Sequence, residues 1–123
     1  MTGEQALARA REAIGAPFQL HGRSLAGFDC VGLSAWAWGV AAPTGYALRG
    51  RPLARIAEEL AALGFVAGHG LGAVVLVDAG PGQVHLGIST GAGLVHADAA
   101  ARRVVERAAP LPWLILHRWI RED

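Results

Sequence analysis

The sequence predicts a single α+β domain in which N-terminal helices pack on an antiparallel β-sheet. Apolar residues recur at helical spacing in the first half of the chain, and from residue 71 the pattern changes to the alternation typical of strands. Because helices come first and strands afterwards, an antiparallel sheet is favoured over a parallel one. The 123 residues are enough for one hydrophobic core and too few for two, so one domain spanning residues 1–123 is expected.

Three helices are predicted in the first half of the chain. Thr2 and Gln5 fit a capping box at the start of the first helix, which ends near Gly15. Asp29 can cap a second helix that begins at Asp29 or Cys30. A loop through Gly45, Tyr46 and Gly50 and a third helix from Pro52 to Gly64 are expected to follow.

The second half of the chain predicts a series of short strands. Val84, Leu86 and Ile88 alternate with polar or small residues, as the residues of a half-buried strand do. Turn residues separate this strand from its neighbours. The expected strands are 73–77, 84–88, 94–98, 102–107 and 113–120, with turns at Pro81-Gly82 and at 90–93.

Composition and charge exclude several classes of function. A net charge of +1 without a basic block argues against nucleic-acid binding. No apolar run is long enough for membrane insertion, and the N-terminus lacks the basic and apolar blocks of a secretory signal. A single cysteine forbids an internal disulfide and a multi-cysteine zinc site, and no cofactor or metal is expected. The hydrophobic content of 53% indicates that some apolar surface contacts a partner.

Cys30 is the only cysteine and the most informative residue of the sequence. At the N-terminus of a helix, the helix dipole lowers the pKa of a thiol and favours a nucleophilic thiolate. Five histidines in the chain can supply a base, so a Cys-His enzyme is one interpretation. The alternative is that Cys30 is a small, inert, buried residue.

His85 is a candidate base for that nucleophile. It lies mid-strand, on the face opposite Leu86 and its apolar neighbours. Gly87, on the same face as His85, leaves room for another element to approach closely, and the second helix with Cys30 is the expected one. A strand histidine that is merely exposed or satisfied is the alternative.

The hairpin that follows His85 supplies candidates for a third group. With a two- or four-residue turn centred on Gly91-Ala92, the paired residue numbers sum to 183, so Gly87 faces His96 and His85 faces Asp98. His96 then lies on the diagonal from His85, roughly 7–8 Å away by backbone geometry. His96 or Asp98 can therefore orient the His85 ring. His21, in the loop before Cys30, can line the same groove.

Three segments of the chain resemble, in order, the motifs of the NlpC/P60 peptidases. The resemblance covers nearly the whole chain. The opening motif is matched by Gly15-Ala16-Pro17-Phe18, His21-Gly22-Arg23 and Gly27-Phe28-Asp29-Cys30-Val31-Gly32-Leu33, the histidine motif by Gln83-Val84-His85-Leu86-Gly87-Ile88, and the third motif by Leu94-Val95-His96-Ala97.

This resemblance implies a papain-like α+β core and a cysteine peptidase that acts on bacterial cell-wall peptides. The bond usually cut in the family joins D-glutamate to the diamino acid of the peptidoglycan stem. The family's nucleophile falls on Cys30, its base on His85 and its third polar residue on His96, which is therefore preferred to Asp98. The family's acidic residue falls on Asp29, where it can also meet a substrate amine.

The chain departs from the family pattern at two positions near the nucleophile. Phe18 stands where the family usually has a tyrosine whose hydroxyl helps at the active site, and Val31 replaces a small polar residue. Oxyanion stabilisation is then expected from the backbone N–H of Cys30, with His21 as a further contributor. Phe18, His21 and Asp29 are accordingly the expected substrate-binding residues.

The stretch Asp29–Leu33 with the preceding His21-Gly22-Arg23 most resembles the phage-tail and gene-transfer-agent branch of the family. That branch implies a protein made in the bacterial cytoplasm, docked to the hub or tip proteins of a phage-like tail, and acting on stem peptides in the periplasm of a target cell. The alternatives are a structural tail-tip module that has lost catalysis, and an amidase or acyltransferase that uses the same Cys-His site.

Overall fold

The computed structural model describes residues 1–42, 53–81 and 83–121, and these residues form the expected α+β architecture. The predicted loop through Gly45, Tyr46 and Gly50, the helix start at Pro52 and the turn residue Gly82 lie outside the described residues. The helices are α1 (Gly3–Glu12), α2 (Cys30–Ala37) and α3 (Leu53–Ala62). The strands are β1 (Arg23–Ser24), β2 (Gly27–Phe28), β3 (Phe65–Ala67), β4 (Val74–Gly80), β5 (Gln83–Ser89), β6 (Leu94–Asp98), β7 (Arg103–Arg107) and β8 (Leu114–Arg121).

Helix α1 begins with the capping box that the sequence predicts. The backbone N–H of Gln5 donates to the Thr2 hydroxyl at 3.2 Å, and the Thr2 N–H donates to the Gln5 side chain at 2.8 Å. On the next turn the guanidinium of Arg9 donates to the carbonyl of Trp36 at 2.9 and 3.1 Å and stacks on its ring. The contacts of Arg9 attach α1 to the C-terminal turn of α2.

A six-stranded antiparallel sheet in the order β3-β8-β4-β5-β6-β7 carries the second half of the chain. The expected strands are confirmed to within a few residues. Strand β3 and the small β1–β2 hairpin were not predicted, because strands of three and two residues are too short to show an alternation.

The two faces of the sheet pack against different partners. Leu86 and Ile88 of β5 face the helices and join the large core that also contains Cys30 and Leu33 of α2. The opposite face carries a smaller apolar cluster, which consists of Val75, Val77 and Leu94 with Leu111, Trp113 and Ile115 packed against it. In the register of β4 and β5, Val77 pairs with His85 and Val75 pairs with Gly87, so His85 lies on the face with the smaller cluster.

The prediction that helix α2 approaches the sheet over Gly87 is therefore wrong. A Cβ atom on Gly87 would lie 2.5 Å from Cγ of Leu94, so the space left by this glycine is filled by a side chain of the neighbouring strand β6. Helix α2 instead packs on the face formed by Leu86 and Ile88. In the described part of the chain, no helix has the length and apolar character needed to cross a membrane.

Candidate active site

The hairpin of β5 and β6 brings two histidines into direct contact. Ile88 pairs with Val95 and Ser89 with Leu94, so the paired numbers sum to 183 and the predicted register is confirmed. His85 Nε2 and His96 Nδ1 lie 2.7 Å apart, and the two rings meet nearly at right angles. The side chains thus close the diagonal gap that the backbone leaves between the two positions.

Asp98, the alternative orienting group, is engaged elsewhere. Its Oδ1 accepts from the backbone N–H groups of Ala100 and Ala101 at 2.9 and 3.3 Å, which stabilises the turn after β6. The carboxylate still acts on both histidines through its charge, because it favours their protonated forms. The ring that contacts His85 is that of His96.

Cys30 is the first residue of α2, and its thiol lies against the backbone of β5. The backbone N–H groups of Leu86, Val31 and Cys30 itself act on the thiol and lower its pKa. Leu86 directly follows His85 in the strand, so Cys30 packs beside the neighbour of the candidate base, while the side chain of His85 lies on the other face of β5. The side chain of Cys30 is almost completely buried, with 5% of the residue exposed.

Burial reverses the pKa shift that the helix terminus predicts for Cys30. Desolvation, and to a smaller extent the nearby negative charge of Asp29, raise the pKa of the thiol, and the net result is a pKa of about 11. The three backbone N–H groups lower the pKa only in part. The expectation of a thiolate in the free protein is therefore wrong, and Cys30 is a neutral thiol at pH 7.

Asp29 fixes the loop before the nucleophile to the start of α2. Its Oδ1 accepts from the N–H of Gly32 at 2.7 Å as the helix cap, and its Oδ2 accepts from the N–H of His21, also at 2.7 Å. The residue is completely buried. Because its carboxylate bonds to the main chain on both sides, Asp29 positions the start of α2, and its contact with a substrate amine stays a prediction.

The other two predicted substrate-binding residues lie beside this cap. His21 is exposed and adopts a left-handed backbone conformation with φ of 60°, which is uncommon for a residue other than glycine. Phe18 is half-buried, packs against the edge of the large core, and forms a bridge to Phe28 of β2. Backbone contacts thus join the segments that hold Phe18 and His21 to Phe28 and Asp29, directly before Cys30.

Burial also determines the charge state of the two histidines. Desolvation and the neighbouring His96 lower the pKa of His85, Asp98 opposes both effects, and the net result is a pKa of about 4. Burial likewise lowers the pKa of His96, where Asp98 acts in the opposite direction and Arg107 adds to the lowering. Both rings are therefore neutral at pH 7, and His85 is available as a proton acceptor.

Trp113 covers the histidine pair and was not predicted as part of the site. Its ring centroid lies 5.3 Å from that of His96 and 5.9 Å from that of His85. The guanidinium of Arg107 lies 5.3 Å from the Trp113 ring. The sequence gives no signal for this contact, because it depends on where the connection between β7 and β8 crosses the sheet.

A small apolar pocket lies behind α2. It has a volume of about 30 Å³ and is lined by residues that include Val31, Ser34 and Leu86. Within residues 1–42, 53–81 and 83–121, no group of three or more His, Cys, Asp or Glu side chains is placed to hold a metal ion.

We expect the free energy of unfolding to fall as the pH is lowered from about 6.5 to about 4. His85 has a pKa of about 4 in the folded protein and about 6.5 when unfolded, so in this interval the unfolded chain binds the proton first. The contribution of His85 is at most about 3 kcal/mol. Urea unfolding at several pH values measures it, and His85→Gln should show a shallower pH dependence than the wild type.

His69→Gln is the matched control for this experiment, because His69 is an exposed histidine of a loop. It should keep the wild-type pH dependence. Equal slopes for wild type and His85→Gln between pH 6.5 and pH 4 would contradict the burial of a neutral imidazole at position 85.

The fold resembles that of solved structures, whereas comparison at the level of sequence finds no match. No protein-family model and no curated protein sequence matches the chain. NlpC2 from Trichomonas vaginalis superposes with a TM-score of 0.70 at 17% identity, over 96% of this chain and 47% of that one. The NlpC/p60 domain of the peptidoglycan hydrolase SagA gives 0.58 at 25% identity, over 88% and 90% of the two chains. The P60 domain of an antigen from M. avium subspecies paratuberculosis gives 0.58 at 20% identity, over 97% and 93%.

A cysteine that begins a helix packed on an antiparallel sheet, with a histidine on the adjacent strand, defines a papain-like α+β domain. More narrowly, the chain has the NlpC/P60 fold, and these structural neighbours support the family that the motifs indicate. The chain spans about half the length of the Trichomonas protein.

Proposed function

We propose that this protein is a cysteine peptidase of the NlpC/P60 type that hydrolyses amide bonds in the stem peptides of peptidoglycan. One observation carries the proposal: the helix that begins at Cys30 packs on β5, the strand that carries His85, and His85 bonds to His96. The similarity to the NlpC/p60 domain of a peptidoglycan hydrolase supports the substrate class. The remaining steps follow from the chemistry of these three side chains.

In the first step the sulfur of Cys30 attacks the carbonyl carbon of the scissile amide. The thiol has a raised pKa and His85 a lowered one, so the resting pair is neutral. The thiol proton therefore passes to His85 as the C–S bond forms, and not before the substrate binds. The negative charge develops on the carbonyl oxygen, which becomes the oxyanion of a tetrahedral intermediate.

In the second step His85 returns the proton to the nitrogen of the leaving amine, and the C–N bond breaks. This leaves a thioester on Cys30 and a neutral histidine. Water then attacks the thioester, with His85 again as the base, and the products are a carboxylate and the free thiol.

The start of α2 supplies donors for the oxyanion. Asp29 accepts from Gly32 N–H, and the N–H groups of Cys30 and Val31 in the same first turn act on the sulfur, so these two are the candidate donors for the oxyanion. A tyrosine hydroxyl is missing at position 18, where the chain has Phe18. His21 is the exposed polar side chain of the adjoining loop and the candidate to replace that hydroxyl.

Digestion of a defined stem peptide tests the bond assignment. We expect the wild-type protein to cut between D-glutamate and the diamino acid, and mass spectrometry of the products identifies the bond. The matched control is the same peptide with L-glutamate in place of D-glutamate, which should stay intact. Recovery of the D-glutamate peptide uncut, or cut only at another bond, would overturn this specificity.

A structural module without catalysis is the competing function. The raised pKa of the Cys30 thiol and the lowered pKa of His85 favour it, since both shifts oppose formation of an ion pair. Alkylation of the free protein does not separate the two functions, because a thiol with a pKa of about 11 reacts slowly at neutral pH in either case. Turnover of the stem peptide does separate them. Transfer of the acyl group to an amine in place of water would indicate the acyltransferase variant of the same chemistry.

We further propose that the chain is carried at the tail tip of a phage-like particle. The resemblance of the segment Asp29–Leu33 to that branch of the family supports this role. Large apolar side chains at the surface suit docking to a tail protein, and they include Leu20, Leu25 and Leu114, which are 57%, 57% and 70% exposed. Mass spectrometry of purified particles tests the role, and particles that lack this chain would contradict it.

A further inference from the structure

One nitrogen of the histidine pair has no conventional hydrogen-bond partner. His96 is 1% exposed, and its Nδ1 lies 2.7 Å from His85 Nε2. Its other nitrogen, Nε2, is buried and has no oxygen or nitrogen partner among residues 1–42, 53–81 and 83–121. A buried polar atom of this kind requires an explanation, because an unsatisfied N–H group is costly.

The proposed role of His85 as a base requires one particular proton position on each ring. To accept the proton of Cys30, His85 must keep Nδ1 free and carry its own proton on Nε2. His85 then donates from Nε2 to His96 Nδ1, so His96 must carry its proton on the buried Nε2. The opposite pair of tautomers would leave the proton on His85 Nδ1 and remove the base. His85 can therefore act as a base only when the proton of His96 is on its buried Nε2.

We propose that the indole ring of Trp113 accepts the Nε2–H of His96 and thereby positions the proton that His85 needs. The two ring centroids are 5.3 Å apart and the ring planes meet at 84°, and this edge-to-face contact is the arrangement that an N–H···π bond requires. The consequence for catalysis rests on the proposed peptidase function, whereas the proton position itself does not.

The surroundings of Trp113 hold its ring in this place. It packs against the apolar cluster on the outer face of the sheet, and Arg107 of β7 lies against its ring. The charged or titratable groups that act on His96 from neighbouring positions are Asp98 on its own strand, Arg107 on β7 and His85 on β5. None of these is placed as a hydrogen-bond acceptor for Nε2, so the indole face is the acceptor that the described residues provide.

Two substitutions distinguish the role of Trp113 as a π acceptor from its role in packing. Trp113→Phe keeps an aromatic face beside His96, whereas Trp113→Leu keeps an apolar side chain without one. We expect kcat to fall about 10-fold in Trp113→Leu with little change in KM, because the base is positioned wrongly while the substrate still binds. Trp113→Phe should stay within about 3-fold of the wild type.

Long-range ¹H–¹⁵N correlation spectra of the full chain report which ring nitrogen carries each proton. In the wild type and in Trp113→Phe we expect His96 and His85 both to be protonated at Nε2. In Trp113→Leu we expect both protons to move toward Nδ1. His117 packs on Trp119 with centroids 4.5 Å apart and serves as the internal reference, because its signals should not change.

A His96 ring protonated at Nδ1 in the wild type would overturn the proposal. An unchanged tautomer in folded Trp113→Leu would do so as well, because another acceptor would then hold Nε2–H. Should the tautomers behave as expected while no variant cuts the stem peptide, the role of Trp113 stands and the peptidase function fails.

Discussion

Replacing Cys30 with serine should reduce the release of stem-peptide fragments from purified peptidoglycan by at least about 1000-fold. A hydroxyl is far harder to deprotonate than a thiol, and His85, with a pKa of about 4, is too weak a base to activate it. The serine side chain is close in size to cysteine, so the fold should persist, and urea unfolding checks this. Fragment release is followed by mass spectrometry.

His85→Ala should cause a loss of similar size, because the thiol then has no base and the leaving amine has no acid. His69→Gln is the control, since it removes an exposed histidine far along the chain from the site residues. It should retain wild-type turnover. Wild-type turnover by Cys30→Ser or by His85→Ala would contradict the proposed mechanism.

Replacing Asp29 with asparagine should lower the free energy of unfolding by about 3 kcal/mol. Both carboxylate oxygens accept short bonds from backbone N–H groups, one from Gly32 and one from His21, in a completely buried position. An asparagine amide offers one acceptor oxygen, and its NH₂ group would face the second N–H. One buried donor would therefore lose its partner, and the favourable negative charge at the start of α2 would also be lost.

Asp78→Asn is the matched control for this variant. Asp78 also accepts from a backbone N–H, that of Gly80 at 3.0 Å, but it is exposed, so water can replace the bond. We expect it to change the free energy of unfolding by less than about 1 kcal/mol. Equal effects of the two substitutions would show that Asp29 does not hold the opening motif together.

The register of the β5–β6 hairpin could be predicted because it depends on local geometry alone. A turn centred on Gly91-Ala92 fixes which residues share a face, and the contact of His85 with His96 follows from that register. The start of α2 was predictable for the same reason, since a capping aspartate at position 29 acts on its own first turn.

Two expectations failed because they depended on the tertiary packing around a locally correct element. The alternation of residues in β5 places Leu86 and Gly87 on opposite faces of the sheet, but it does not indicate which face the helices cover. The helix terminus lowers the pKa of a thiol, but burial of Cys30 has the larger and opposite effect. Strand β3 and the contact of Trp113 with the histidines escaped prediction because each is defined by a partner distant in sequence.

The central claim is that Cys30 forms a thioester with the stem peptide, and trapping that adduct tests it most directly. The wild-type protein is mixed with the stem peptide, quenched in acid during turnover, digested with pepsin and measured by mass spectrometry. We expect the fragment that contains Cys30 to gain the mass of the acyl portion of the substrate, and His85→Ala to show no such gain. Steady cleavage of the stem peptide by wild-type protein whose Cys30 stays unmodified at every quench time would contradict the claim.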